Sequence, residues 1–183
     1  NFTNGGSVGI DNGTTSPFID TEASGSVGNL NFTNTAEGSI TLGQGTSTDV
    51  FLDTATTVGN ITIDTGTNTD GTALVLLGSI DNATTVGNIT FSGKSGGGLD
   101  GFPAATSIGN ISGSVAAGQN FFIGDELAPS VIGTNSGTAG VIGTTGGVMG
   151  STIVTGGGDF TMSVGAVTTL GNIDLTGMNA ATS

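Results

Sequence analysis

The sequence predicts an all-β chain folded as a right-handed parallel β-helix, a β-solenoid of about six coils. Three observations lead there. A short unit recurs along the 183 residues at a spacing near 30. Within each unit, apolar residues alternate with period two rather than 3.6. The composition, with 36 Gly and 34% apolar residues, is too poor in large apolar groups for a thick two-layer core. It suffices for a thin core that short strands feed with one or two side chains each. A β-sandwich is the alternative fold, and it does not account for a repeat of about 30 residues.

The unit is anchored on a glycine. Its copies read SVGNLNF (Ser26 to Phe32), TVGNITI (Thr57 to Ile63), TVGNITF (Thr85 to Phe91), SIGNISG (Ser107 to Gly113) and TLGNIDL (Thr169 to Leu175). The anchors Gly28, Gly59, Gly87, Gly109 and Gly171 are 31, 28, 22 and 62 residues apart. Because 62 is twice 31, a degenerate copy is expected around Gly140, where Val141 replaces the asparagine. Asn1-Phe2-Thr3-Asn4 returns as Asn31-Phe32-Thr33-Asn34, so the first residues match the middle of a repeat.

Each unit reads as three short strands joined by turns. Leu30 to Phe32, Ile40 to Leu42 and Ile61 to Ile63 alternate, whereas Ala73 to Leu77 is the continuous run of a more buried strand. Gly43 to Asp49, Asp64 to Thr72 and Ser92 to Gly101 are polar and turn-forming. One coil cannot bury its inward side chains alone, but stacked coils can. Each coil adds roughly 4.8 Å, so six make a rod on the order of 30 Å long. In that frame the Gly-Asn pair marks a corner. Glycine permits a tight or left-handed turn, and asparagine tolerates one. Asn29, Asn60, Asn88, Asn110 and Asn172 are expected to form a hydrogen-bonded ladder of side-chain amides.

The T-[VIL]-G-N-[IL] units, set in sequence rich in Gly, Thr, Ser and Asn, resemble β-helical repeat surface proteins. These are autotransporter passengers, filamentous-haemagglutinin-type adhesins and repeat-rich S-layer proteins. The resemblance implies a non-enzymatic role outside the cell or on its surface.

Charge narrows the partners. Fourteen acids face one base, Lys94, for a net charge of −13. Nucleic acids and anionic membrane surfaces attract Lys and Arg, of which this chain has only Lys94. No apolar run reaches membrane-spanning length. The chain has no Cys, His, Tyr or Arg, so the usual nucleophile and base pairs cannot be assembled. Carboxylate pairs such as Asp49 and Asp53, or Asp125 and Glu126, lack the aromatic platforms and basic groups of a polysaccharide-active site. No catalytic residue and no organic cofactor is expected. Structural calcium is the one cofactor considered, with Asp64, Asp70, Asp81 and Asp100 in Gly-rich turns as candidate ligands. Thr-x-Thr pairs such as Thr65/Thr67 do not recur at the repeat period, so an ice-binding face is not expected.

The expectation is one domain, residues 1–183, with an irregular region near 116–162. There, Phe121 and Phe122 are read as core or as a lateral contact. No capping segment is visible, so the chain reads as a segment or a stacking subunit. The function expected is a building block of a surface layer or filament that assembles with copies of itself. An adhesin stalk or passenger segment and a polysaccharide-active β-helix enzyme are the alternatives.

Overall fold

A computed structural model of the chain describes residues 2–4, 8–10, 19–34, 40–42, 50–67, 74–80, 82–99, 101–102, 104–123, 147–162 and 167–178. They contain strands and turns and no helix. The first strands are β1 (Phe2–Asn4), β2 (Val8–Ile10), β3 (Ile19–Val27), β4 (Leu30–Asn34), β5 (Ile40–Leu42), β6 (Val50–Val58) and β7 (Ile61–Asp64). Next come β8 (Leu74–Leu77), β9 (Ser79–Ile80), β10 (Thr85–Val86), β11 (Ile89–Ser92), β12 (Gly96–Leu99), β13 (Ser107–Ile108) and β14 (Ile111–Val115). The last are β15 (Asn120–Ile123), β16 (Gly147–Met149), β17 (Thr152–Gly156), β18 (Asp159–Met162), β19 (Val167–Leu170) and β20 (Ile173–Met178).

These strands form three sheets. The first runs β1-β4-β7-β11-β14-β17-β20, the second β2-β5-β8-β12-β15-β18 and the third β3-β6-β10-β13-β16-β19, with β9 also on β6. Every pairing is parallel. The chain visits the sheets in rotation, and each strand lies beside its counterpart one circuit away. In the first sheet Leu30, Ile61, Ile89, Ile111, Thr152 and Ile173 fall in one column.

The period-two pattern explains which side chains face in. In β7 and β11, buried residues alternate with partly or fully exposed ones. The core is a thin column fed from all three sheets, including Phe32, Ile61, Ile63, Val75, Leu77, Val86, Ile89, Phe91 and Ile123.

Two sequence expectations change here. Ser92 to Gly101 is not all turn, because Gly96–Leu99 is strand β12, buried throughout. Gly98 is explained by the Phe122 ring, and Gly97 by the Val75 carbonyl oxygen, 2.6 Å from where a Cβ would stand. Phe91 and Phe121 stack with centroids 4.1 Å apart and planes within 8°. Phe91 pairs in register with Gly113, and Phe121 with Gly97. Each of two successive circuits thus gives one Phe and one Gly on different sheets, in swapped order. A Cβ on Gly113 would strike the Phe91 carbonyl oxygen and lie 2.5 Å from Phe91 Cδ2. Phe121 is core, as is required of a stacked ring. Phe122 faces the other way, is only 5% exposed, and its ring covers Gly98.

The second change concerns the degenerate copy. Gly140 and Val141 lie outside the described residues, as does all of 124–146. The position after Gly109 is held by Gly150, which donates to Ile108 O at 2.9 Å, and Gly171 in turn donates to Met149 O at 2.9 Å. The insertion therefore falls between β15 and β16, while β15 to β18 continue their sheets.

Candidate functional site: the stacked corner

The Gly-Asn pairs lie between the third and first sheets, one above another. Each step is bridged by three hydrogen bonds. Gly59 N–H donates to Val27 O at 3.0 Å, Asn60 N–H donates to Asn29 Oδ1 at 2.9 Å, and Leu30 N–H donates back to Asn60 O at 2.9 Å. The same set recurs from Asn60 to Asn88 and from Asn88 to Asn110, with the side-chain bond at 2.9 Å each time. The ladder therefore joins a carboxamide oxygen to the next backbone N–H, not amide to amide. Its upper end is Ser151, whose N–H reaches Asn110 Oδ1 at 2.9 Å. The shorter Ser151 side chain sends no such bond to Asn172 among the described residues.

The glycines also have a different reason from a left-handed turn. Positive φ occurs at Gly66, Gly93, Gly101, Gly118 and Gly156, and at none of the corner glycines. What demands glycine is close approach. A Cβ on Gly59, Gly87 or Gly109 would stand 2.6, 2.7 or 2.6 Å from the Oδ1 of the asparagine one circuit earlier. On Gly171 it would stand 2.5 Å from the carbonyl carbon of Gly150. Gly28 differs: its Cβ would meet nothing within 4 Å among the described residues.

A second ladder precedes the third sheet and was not read from the sequence. Thr56 Oγ1 donates to Gly25 O at 3.2 Å, Thr84 Oγ1 to Thr56 O at 3.1 Å and Thr106 Oγ1 to Thr84 O at 3.0 Å. Beside them Ala55, Ala83 and Ala105 are buried. The signal was present, since the repeat extends backwards as Ala-Thr-Thr, Ala-Thr-Thr and Ala-Thr-Ser.

Of the calcium candidates, Asp70, Asp81 and Asp100 lie outside the described residues. Asp64 serves its own turn, where Oδ1 accepts from Gly66 N–H at 3.0 Å. The neighbouring Thr65 is buried, its hydroxyl donating to Ser95 O at 2.7 Å, so it is no exposed threonine rank. Among the described residues no three His, Cys, Asp or Glu side chains gather as a metal site. Nor is any helix there long and apolar enough to cross a membrane. Asp174 is exposed, and the hydroxyl and N–H of Thr176 hold its carboxyl below the usual carboxylate range.

At one end of the sheets, apolar side chains lie open. Leu170, Ile173 and Leu175 are 42%, 51% and 42% exposed. Leu170 and Ile173 occupy columns that are buried lower down, as at Val58 and Ile61. Compared with protein-family models, curated proteins and solved structures, the chain matches none.

Proposed function

We propose that the chain is a right-handed parallel β-solenoid and a non-enzymatic structural unit outside the cell, building a surface layer or filament by subunit stacking. One observation carries this reading. Each Gly-Asn rung presents on one side the groups that it uses on the other, so such a rung can take a further rung on either side. Side-chain chemistry along the rungs serves backbone pairing, which suits a load-bearing rod better than a binding cleft. A heterologous contact of this kind propagates rather than closes. The acidic surface and the surface-protein resemblance agree with an exported role.

Negative-stain imaging of purified protein, with and without a calcium chelator, tests it. Ordered filaments or sheets of constant width are expected. Discrete particles of single-chain mass at every concentration and salt level would sink the reading.

A further inference from the structure

We infer that the chain docks on a second copy of itself through one defined rung, with Gly171-Asn172 of one copy beneath Gly28-Asn29 of the next. This rests on the stacking function proposed above and names the surfaces that would carry it.

Gly28 provides the first argument. At Gly59, Gly87 and Gly109, glycine is needed because an asparagine Oδ1 from the preceding circuit fills the Cβ position. Among the described residues nothing fills it at Gly28, and φ there is not positive. Yet the residue is glycine. An Asn Oδ1 from another chain would supply the missing reason.

The second argument is the match of unused groups. Among the described residues, the N–H groups of Gly28 and Asn29 have no acceptor, and Asn29 O has no donor. At the far end, where β19 and β20 are the last strands of their sheets, Leu170 O, Asn172 Oδ1 and Ile173 N–H have no partner among the described residues. Stacking joins them as Gly28 N–H to Leu170 O, Asn29 N–H to Asn172 Oδ1, and Ile173 N–H to Asn29 O. Each bond repeats one found inside the chain, at 3.0, 2.9 and 2.9 Å between the circuits of Gly28 and Gly59. The same step covers Leu170 with Val27 and Ile173 with Leu30.

Strand number adds a condition. The first sheet has seven strands, while the second and third run through six each along their paths. In a continuous stack, β18 meets β2 and β19 meets β3 of the next copy. The strand β20 then takes the place beside β4 that β1 holds in the isolated chain. A three-residue strand yields to a six-residue one. Docking is thus an exchange of β1 for β20 of the neighbour.

The chain has no native cysteine, so the contact can be read by cross-linking. Ser26 and Thr169 are exposed and share one outward column of the third sheet. In the double variant Ser26→Cys and Thr169→Cys, a short thiol cross-linker is expected to give a ladder of trimers and larger species. Each single variant should stop at dimer or below. Gly28→Ala should abolish the ladder in that background while leaving the thermal midpoint of the monomer unchanged. Removing residues 1–4 should leave polymerisation intact. Polymers that form without the ladder, and that persist with Gly28→Ala, overturn this interface but leave the stacking function standing. So does loss of polymers on removing residues 1–4. Absence of polymers in the unaltered chain overturns both, whether another protein or another part of the same chain covers the face.

Discussion

At the scale of single residues, identity is set by what the neighbouring circuit places nearby. Gly87 has no Cβ because Asn60 Oδ1 and Gly59 C occupy its space, at 2.7 and 2.8 Å. Gly87→Ala should therefore destabilise the monomer by about 1–3 kcal/mol, the usual range for overpacking. Urea unfolding at a concentration where the chain is monomeric checks this. Ser151 offers the converse test. It breaks the ladder below Asn172, where the Gly150-Ser151 backbone comes to 2.5 Å from the Cβ position of Gly171. Ser151→Asn should add one side-chain bond to Asn172 N–H, worth roughly 0.5–1.5 kcal/mol. A fall in stability instead would mean that the corner of Gly150 cannot accept the longer side chain. The Gly-Asn ladder itself was legible because five copies repeat it in identical form. The reason for its glycine was not, since a close approach between circuits leaves no mark that distinguishes it from a left-handed turn.

At the scale of elements, the strands were readable wherever apolar residues alternate, as in Leu30 to Phe32 and Ile61 to Ile63. Reading failed at β12, whose Gly-Gly-Gly-Leu has the composition of a turn. Gly97 answers to the Val75 carbonyl and Gly98 to the Phe122 ring on the two adjacent strands, relations visible only once the circuits are stacked. The copy at Gly150 was missed for a related reason. Spacing arithmetic assumes equal circuits, whereas the steps bridged by Asn88 and Asn110 are 22 and 41 residues. The Phe-Gly exchange makes a quantitative prediction. Gly113→Ala alone should cost about 1–3 kcal/mol through the Phe91 carbonyl oxygen and ring together. Phe91→Leu alone should lose the stack with Phe121. In the double variant the two effects should couple by about 0.5–3 kcal/mol in the favourable direction. A double-mutant cycle in urea measures it, and strict additivity would show that the Phe91 carbonyl, not its ring, sets the cost of the added Cβ.

At the scale of the whole molecule, short-range pairing opposes long-range repulsion. In the proposed stack every junction would add the same backbone bonds, yet each copy brings a net charge of −13. The single base, Lys94, cannot offset this, so repulsion between copies grows with the number stacked. Screening should decide the balance. The Debye length is about 30 Å at 0.01 M salt and about 3 Å at 1 M. The first is several strand spacings of roughly 4.8 Å, and the second is less than one. Polymer mass, followed by sedimentation velocity, should therefore rise steeply between those two limits. The same rise should appear at low salt as pH falls toward the sequence pI of about 4.1, where carboxylates take up protons and the charge declines. The direction is diagnostic. Backbone pairing and apolar contact at Leu170 and Ile173 survive screening, so salt relieves only what opposes them. Polymers that dissolve on adding salt would mean that opposite charges hold the copies together, and a chain with fourteen acids and one base would then need a different partner from itself.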